Sequence, residues 1–229
     1  MTTTQSYPQK FDYVIVGAGT AGAALAARLT EDPNITVGLV EAGEHVTDMM
    51  SIFVPGMARM AHGDKRVDWS FYTVPQTHAH DRKIFEPRGK LVGGSSALNY
   101  MAWGRASRAE YDVCLSCMEV ENRIPPTEDS AKVYHTSGYT PALHGQVGPI
   151  KSSFAHWYND LHVPFLESVA NLGVPISPDT GNGSNYGAFT GAFTVDPETS
   201  TRSFSATGYY APNADRKNLC SSASLTQRA

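Results

Sequence analysis

The sequence of 229 residues is poor in several features that define other classes of protein. It has three cysteines, Cys114, Cys117 and Cys220, and so small and odd a number does not suggest a framework of disulfide bonds. No apolar run reaches the roughly 18 residues that span a bilayer. Charged residues make up only 17%, the net charge is −4, and lysine and arginine form no cluster. These absences argue against nucleic acid and anionic membranes as partners.

Two further absences concern targeting and metal binding. The first ten residues are polar and have no apolar core, so we predict no secretory signal and expect a soluble, cytoplasmic chain. Cys114 and Cys117 have CxxC spacing, but no second pair follows to complete the four ligands of a structural zinc. We therefore predict no metal site. Hydrophobic residues, at 41%, are sufficient for a globular core and exclude a disordered chain.

The first forty residues have the pattern of a βαβ unit. Residues 11–16 (FDYVIV) form an apolar, β-branched run that is typical of a buried parallel strand. Residues 23–29 (AALAARL) are rich in helix formers, and residues 32–34 (DPN) predict a turn. A second strand is predicted over residues 35–40 (ITVGLV). Strand, glycine-rich turn, helix and strand together predict a Rossmann-like α/β fold.

The turn after the first predicted strand contains a GxGxxG motif. Gly17 allows a tight turn, Gly19 lets the backbone approach a pyrophosphate, and Gly22 lets the helix pack against the sheet. The backbone N–H groups of Thr20 and Ala21, together with the helix dipole, suit the negative charge of a phosphate. The motif in this context predicts a dinucleotide site.

An acidic residue ends the second predicted strand. Glu41 lies nineteen residues after Gly22, where its carboxylate can accept hydrogen bonds from the hydroxyls of the adenosine ribose. The same charge would repel a 2′-phosphate, which disfavours NADP. These residues leave both NAD and FAD open.

A second glycine-rich stretch, residues 89–112, reads GKLVGGSSALNYMAWGRASRAEYD. It resembles the first signature of the glucose–methanol–choline (GMC) flavin oxidoreductases, and weaker similarity extends over most of residues 10–219. The matching positions in the signature are Gly89, Lys90, Val92, Gly93, Gly94, Ser95, Ser96, Leu98, Asn99, Trp103, Ala106 and Asp112.

The resemblance implies FAD as the cofactor. Gly94 would let the backbone approach the flat flavin. By resemblance, four further residues would line the flavin and its pyrophosphate: Ser95, Asn99, Tyr100 and Ala102. The implied fold is a Rossmann-like FAD-binding domain with a partial, mainly β substrate-binding domain. The implied reaction is oxidation of the CH–OH group of a small-molecule alcohol by hydride transfer to the flavin, as in aryl-alcohol and choline dehydrogenases. An NAD-dependent dehydrogenase is the alternative that this signature opposes.

The chain departs from the family in two respects. It is much shorter, and the family's catalytic histidine lies beyond the matched region, so none of the eight histidines is assigned a catalytic role. Residues 113–124 and 220–229 do not follow the family pattern, and we interpret both as altered splicing or reading frame. We therefore expect a truncated chain of marginal stability with an exposed sheet edge and apolar face. A catalytically inactive flavin-binding remnant or an interaction protein is the alternative function.

These patterns predict a division of the chain into four parts. Residues 10–112 form the N-terminal part of the FAD-binding domain, and residues 113–142 form a divergent linker. A partial substrate domain covers residues 143–200, with a helix over 164–172 and a strand within 187–194. Residues 201–229 would be a broken return to the FAD domain with an irregular tail. The sequence does not indicate an oligomeric state.

Overall fold

The computed structural model describes residues 10–105, 119–184 and 186–222. The chain divides into two compact units, one formed by Met1–Tyr100 and Phe204–Ala229 and the other by Met101–Ser203. Cys114 and Cys117 lie outside the described residues, as does the first half of the divergent stretch 113–124. The four-part domain division stays a prediction.

The elements are short. The strands are β1 (Tyr13–Val16), β2 (Val37–Val40), β3 (Phe71–Tyr72), β4 (Phe85–Glu86), β5 (Ala102–Trp103), β6 (Glu121–Arg123), β7 (Ile150–Ser152), β8 (Ala192–Phe193), β9 (Val195–Asp196), β10 (Thr201–Arg202) and β11 (Leu219–Ser221). The α-helices are α1 (Thr20–Leu29), α2 (Met50–Phe53), α3 (Glu128–Val133) and α4 (His162–Asn171). In the described ranges, none of the helices has the length and apolar character needed to cross a membrane.

The first unit is built on a three-stranded parallel sheet in the order β1–β2–β11. Helix α1 connects β1 to β2 and buries Ala23, Ala26 and Ala27. Of these, Ala23 and Ala26 belong to the core that contains Val37 and Leu39. The predicted βαβ unit is confirmed, although α1 begins at its glycine motif rather than three residues later. Small alanine side chains let the helix lie close to the sheet.

The burial of β1 differs from the prediction. Only Ile15 is buried in this strand, whereas Val14 and Val16 are 59% and 85% exposed. Side chains alternate between the faces of a sheet, and α1 packs on the face that carries Ile15. Among the described residues, the opposite face at Val14, Val16 and Val40 stays largely exposed. The prediction of a buried strand is therefore wrong for β1, and the predicted exposed apolar face is confirmed.

The chain returns to the first unit after residue 203. A π-helical turn over Ala206–Tyr210 packs on α1, and β11 pairs in parallel with β2, with Leu219 opposite Val37. Strand β11 continues through Ser221, so the break predicted at Cys220 is wrong for the first two residues of that segment. Residues 223–229 lie outside the described residues.

In its described residues, the second unit combines short sheets with the helices α3 and α4. Strand β5 pairs with β8, β6 with β7 and β9 with β10. The helix predicted over 164–172 is confirmed as α4, which begins two residues earlier. The strand predicted within residues 187–194 is reduced to the two residues of β8. Together with the parallel sheet and helix of the first unit, these elements confirm the predicted α/β class.

Candidate cofactor site

The amino-terminal end of α1 opens to solvent directly after β1. Gly17 has a φ of +93°, which favours glycine, and its N–H donates to the carbonyl oxygen of Val40 at 2.7 Å. Thr20 and Ala21 are exposed. N–H groups in the first turn of a helix have no acceptor within the helix, and the helix dipole adds positive potential there. This end of α1 can therefore hold an anionic group.

Gly22 has a different role in the same motif. A Cβ at this position would overlap the carbonyl oxygen of Gly17 and would lie 3.3 Å from the Cγ2 of Ile15. The helix therefore needs a glycine here to approach the strand, which confirms the packing role predicted for Gly22.

Glu41 lies immediately after β2 and faces the glycine turn. Its Oε2 accepts the N–H of Ala18 at 2.7 Å, and its Oε1 accepts the N–H of Gly43 at 2.9 Å. An ionised carboxylate has about four acceptor sites, so two of them are used here. Glu41 thus holds the turn and keeps capacity for a further donor. Its contact with a ribose stays a prediction.

The second glycine-rich stretch packs directly on the first. A Cβ at Gly94 would lie 2.7 Å from the Cα of Gly19, and Gly94 has a φ of +50°. The N–H of Gly93 donates to the carbonyl oxygen of Ala18 at 2.8 Å. Two motifs separated by about seventy residues in the sequence therefore meet backbone to backbone.

The start of the second stretch is equally close. A Cβ at Gly89 would overlap the carbonyl group of Gly94, and the N–H of Gly89 donates to the Oγ of Ser95 at 3.3 Å. A Cβ at Gly43 would likewise overlap the carbonyl group of Lys90. Residues 89–95 are thus packed against both the glycine turn and the segment that follows Glu41.

A pair of serines, which the sequence analysis did not assign to the site, secures this loop. Ser96 Oγ donates to the carbonyl oxygen of Gly93 at 2.5 Å, and it lies 2.9 Å from Ser205 Oγ. The ring of Phe204 packs against Gly93 so closely that a Cβ there would lie 2.7 Å from it. In the sequence, Ser96 is one of the matching positions of the signature, whereas Phe204 and Ser205 lie only within the weaker similarity over residues 10–219.

The remaining predicted cofactor residues lie on the surface. Asn99 and Tyr100 are exposed, and the ring of His62 lies 5.3 Å from that of Tyr100. His62 Nε2 is 2.8 Å from the carbonyl oxygen of Leu98. Ala102 is exposed in β5 of the second unit. The structure thus brings nine of the predicted residues into one region of the first unit, together with the exposed Tyr100.

The second unit has its own buried group of charged side chains. His144 Nδ1 is 3.1 Å from Glu121 Oε2, and its Nε2 is 2.9 Å from Asp179 Oδ1. Since both ring nitrogens face carboxylate oxygens, the geometry favours the doubly protonated imidazolium. Arg105 and Arg123 also pair with Glu121. This group links β6 to two loops of the second unit.

The pKa values of this group shift toward its charged forms. Burial alone would lower the pKa of His144, but its hydrogen bonds to Asp179 and Glu121 outweigh burial and raise it. Burial alone would raise the pKa of Glu121, but the hydrogen bond to His144 and the charge of Arg123 hold it well below its usual range. The group is therefore an internal ion cluster that is stable near neutral pH.

The residues of the first unit fit a flavin dinucleotide. The open helix end supplies backbone donors at Thr20 and Ala21 for a pyrophosphate. Gly19 keeps room above the turn, because a Cβ there would meet only the Cα of Gly94, at 3.8 Å. The free acceptor sites of Glu41 suit ribose hydroxyls. These features define a dinucleotide-binding domain of the α/β class.

The comparisons with known proteins identify the family. The family model for GMC oxidoreductases matches residues 11–220, and the chain belongs to this family. The dehydrogenase mpl7 of Monascus purpureus is 34% identical over 227 residues, which cover 91% of this chain and 36% of that protein. The chain thus spans about a third of the length of that relative.

Solved structures give the same result. The structure is similar to an FAD-dependent oxidoreductase from Chaetomium thermophilum, with a TM-score of 0.81 and 25% identity over 93% of this chain and 38% of that one. It is also similar to a fungal aryl-alcohol oxidase, with a TM-score of 0.78 and 26% identity over 94% of this chain and 39% of the other. The matched region is the FAD-binding domain of the family, which confirms FAD as the cofactor and leaves NAD without support.

Proposed function

We propose that this chain binds FAD for the oxidation of the CH–OH group of an alcohol donor. The observation that carries the proposal is the direct packing of the two glycine-rich motifs, in which Gly94 lies against Gly19. This packing places the exposed helix end, Glu41 and the loop of Ser95 in one region of the first unit. When bound, the flavin would supply a hydride acceptor for the alcohol carbon.

The residues of the chain would bind and orient the cofactor. The N–H groups of Thr20 and Ala21 would donate to the pyrophosphate, and Glu41 would accept from the ribose. Backbone at Gly94 and Ser95 and the side chain of Asn99 would face the flavin. No residue is proposed as the base that removes the hydroxyl proton.

The proposal that the substrate is an alcohol is supported by the substrates named for similar proteins. The matches include the fungal aryl-alcohol oxidase described above. The particular alcohol and the electron acceptor are outside the proposal, because no described residue is assigned to a substrate pocket.

The test is the visible absorption spectrum of the purified chain, recorded without oxygen before and after addition of alcohols. A panel containing an aryl alcohol, choline and a short aliphatic alcohol covers different sizes and charges. We expect a flavin spectrum that bleaches on addition of at least one alcohol. A Gly22→Ala variant serves as the control for loss of fold, because its Cβ would overlap protein rather than ligand.

Two other outcomes would change the conclusion. A flavin spectrum that no alcohol bleaches would support the alternative of a flavin-binding remnant without turnover. A folded but colourless protein that takes up no added FAD would refute the proposal.

A further inference from the structure

Asp68 has an unusual environment in the first unit. It is 1% exposed, yet its carboxylate belongs to none of the ion pairs found among the described residues. Instead it accepts three backbone N–H groups. Oδ2 accepts from Gly63 at 2.8 Å, and Oδ1 accepts from Ser70 at 2.8 Å and from Arg88 at 2.9 Å.

These three donors come from three different segments. Gly63 follows the 3₁₀ helix Pro55–Ala61, Ser70 precedes β3, and Arg88 follows β4. Ser70 has a φ of +54°, an uncommon value for a residue with a side chain. The bond from its N–H to Asp68 helps to hold this conformation. One buried carboxylate therefore joins the two ends of the β3–β4 hairpin to the preceding helical turn.

The backbone of Asp68 strengthens the same connection. Asp68 forms an antiparallel bridge with Gly89, in which the N–H of Trp69 donates to Arg88 at 2.9 Å and the N–H of Lys90 donates to Val67 at 2.8 Å. Gly89 is the first residue of the second glycine-rich loop. Its position decides where Gly94 lies, because the two backbones are in direct contact.

We propose that Asp68 is a positioning residue for the cofactor, which fixes residues 88–90 so that the loop from Gly89 to Asn99 meets the first glycine turn. The role rests on the proposed function, since it matters only when that loop contacts FAD. Asp68 is joined to the loop through Arg88 and Gly89, and the loop is joined to the turn through Gly94 and Gly19.

The ionised carboxylate suits this role better than an amide. Burial alone would raise the pKa of Asp68, but the hydrogen bonds from Gly63, Ser70 and Arg88 outweigh burial and lower it. An asparagine offers one acceptor oxygen and one donor nitrogen. Asp68→Asn therefore leaves at least one of the three N–H groups facing another donor, at nearly unchanged side-chain volume.

The experiment compares the wild-type chain with Asp68→Asn, Asp68→Glu and Asp12→Asn. Asp12 is the matched control, because its carboxylate also accepts a backbone N–H, that of Thr36 at 2.7 Å. This bond lies at the amino-terminal ends of β1 and β2, whereas the glycine turn follows the carboxyl-terminal end of β1. Each protein is titrated with FAD by flavin fluorescence. The visible circular dichroism of bound flavin and the thermal midpoint of the apoprotein are also measured.

We expect Asp68→Asn to weaken FAD binding by about tenfold or more, as for loss of one well-placed hydrogen bond, and to change the circular dichroism of the bound flavin. Asp12→Asn should match the wild type in both. If Asp68→Asn fails to fold, Asp68→Glu tests the positioning role instead. This variant keeps the charge and both carboxylate oxygens but moves the oxygens by one methylene. We expect it to fold and to bind FAD less tightly.

The outcomes separate the two proposals. A folded Asp68→Asn or Asp68→Glu variant with wild-type affinity and circular dichroism would overturn the positioning role, even if its melting midpoint were lower. A wild type that binds no FAD would refute the proposed function, and the inference that rests on it. Normal binding by the wild type and Asp12→Asn with weak binding by the folded Asp68 variants supports both.

Discussion

Replacement of Gly19 by alanine should weaken FAD binding without lowering the stability of the fold. The residue has φ −74° and ψ −161°, an extended conformation that alanine adopts without strain. Its Cβ would be in ordinary contact with the Cα of Gly94 at 3.8 Å, with no nearer neighbour. A compatible Gly→Ala change stabilises a protein by about 0.4–1 kcal/mol through the unfolded state. We therefore expect the apoprotein to melt at the same temperature or slightly higher.

The effect on FAD binding should be opposite. The new methyl group would occupy space where the backbone must approach the pyrophosphate, so that one or two hydrogen bonds from the helix end to the phosphate are lost. Each hydrogen bond to a charged group contributes about 1.5–3 kcal/mol, and about 1.4 kcal/mol corresponds to a factor of ten. FAD affinity should fall by about 10- to 100-fold or more.

The assay is a fluorescence titration with FAD, paired with thermal unfolding of the apoprotein. Gly56→Ala is the matched control, because a Cβ at Gly56 has no neighbour within 4 Å. It should leave FAD affinity unchanged and the melting temperature the same or slightly higher. Gly22→Ala should lower stability, since its Cβ overlaps the carbonyl of Gly17. Wild-type affinity in Gly19→Ala would refute a close approach of phosphate to this residue.

Three further predictions concern stability and association. His144→Gln should destabilise the second unit by about 3–5 kcal/mol in urea unfolding, because it leaves the buried carboxylate of Asp179 without its cation, whereas Glu121 keeps Arg105 and Arg123. Folding raises the pKa of His144, so the stability that His144 contributes should be complete below about pH 6.5 and be lost as pH rises through the folded-state pKa. The variant should lack this pH dependence of stability. The same dependence of unfolding free energy on pH in both proteins would contradict this. Val14→Ser with Val16→Ser should change stability by only about 0.5 kcal/mol and reduce self-association in light scattering, and unchanged scattering would show that this face is not the cause. Asn218→Ala should cost about 1–3 kcal/mol in unfolding free energy, because the two N–H groups of the Asn218 amide are shared among three carbonyl oxygens within 3.2 Å; a neutral result would contradict that role.

The sequence predicted the local elements of the first unit well and its long-range contacts poorly. Apolar runs and helix formers gave β1, α1 and β2 to within a few residues. The start of α1 was placed too late, because Thr20 and Gly22 are weak helix formers that are held by packing on Gly17 and Gly94. The strand was predicted to be buried, but Val14 and Val16 are exposed. An apolar run indicates a strand, but it does not indicate how many of the strand's faces are covered.

The site shows the same limit. Each glycine motif could be recognised from its own residues, but their contact could not, because it joins Gly19 to Gly94 across about seventy residues. The roles of Asp68 and Ser205 also depend on which backbone groups the fold brings within hydrogen-bonding distance. The His144 cluster joins positions 121, 144 and 179, whose spacing follows no helical or strand period.

The two glycine motifs contain residues required for different physical reasons, and a motif match alone does not distinguish them. Gly22 and Gly89 are required by the protein, because a Cβ at either position would overlap backbone atoms of the fold itself. Gly19 has room for a methyl group in the folded chain, so the fold alone gives no reason for a glycine there. A variant that keeps Gly22 and Gly89 but replaces Gly19 by alanine should therefore fold normally and bind its cofactor less tightly. Gly19 is therefore the position in the motif whose presence argues for a bound dinucleotide rather than for the fold.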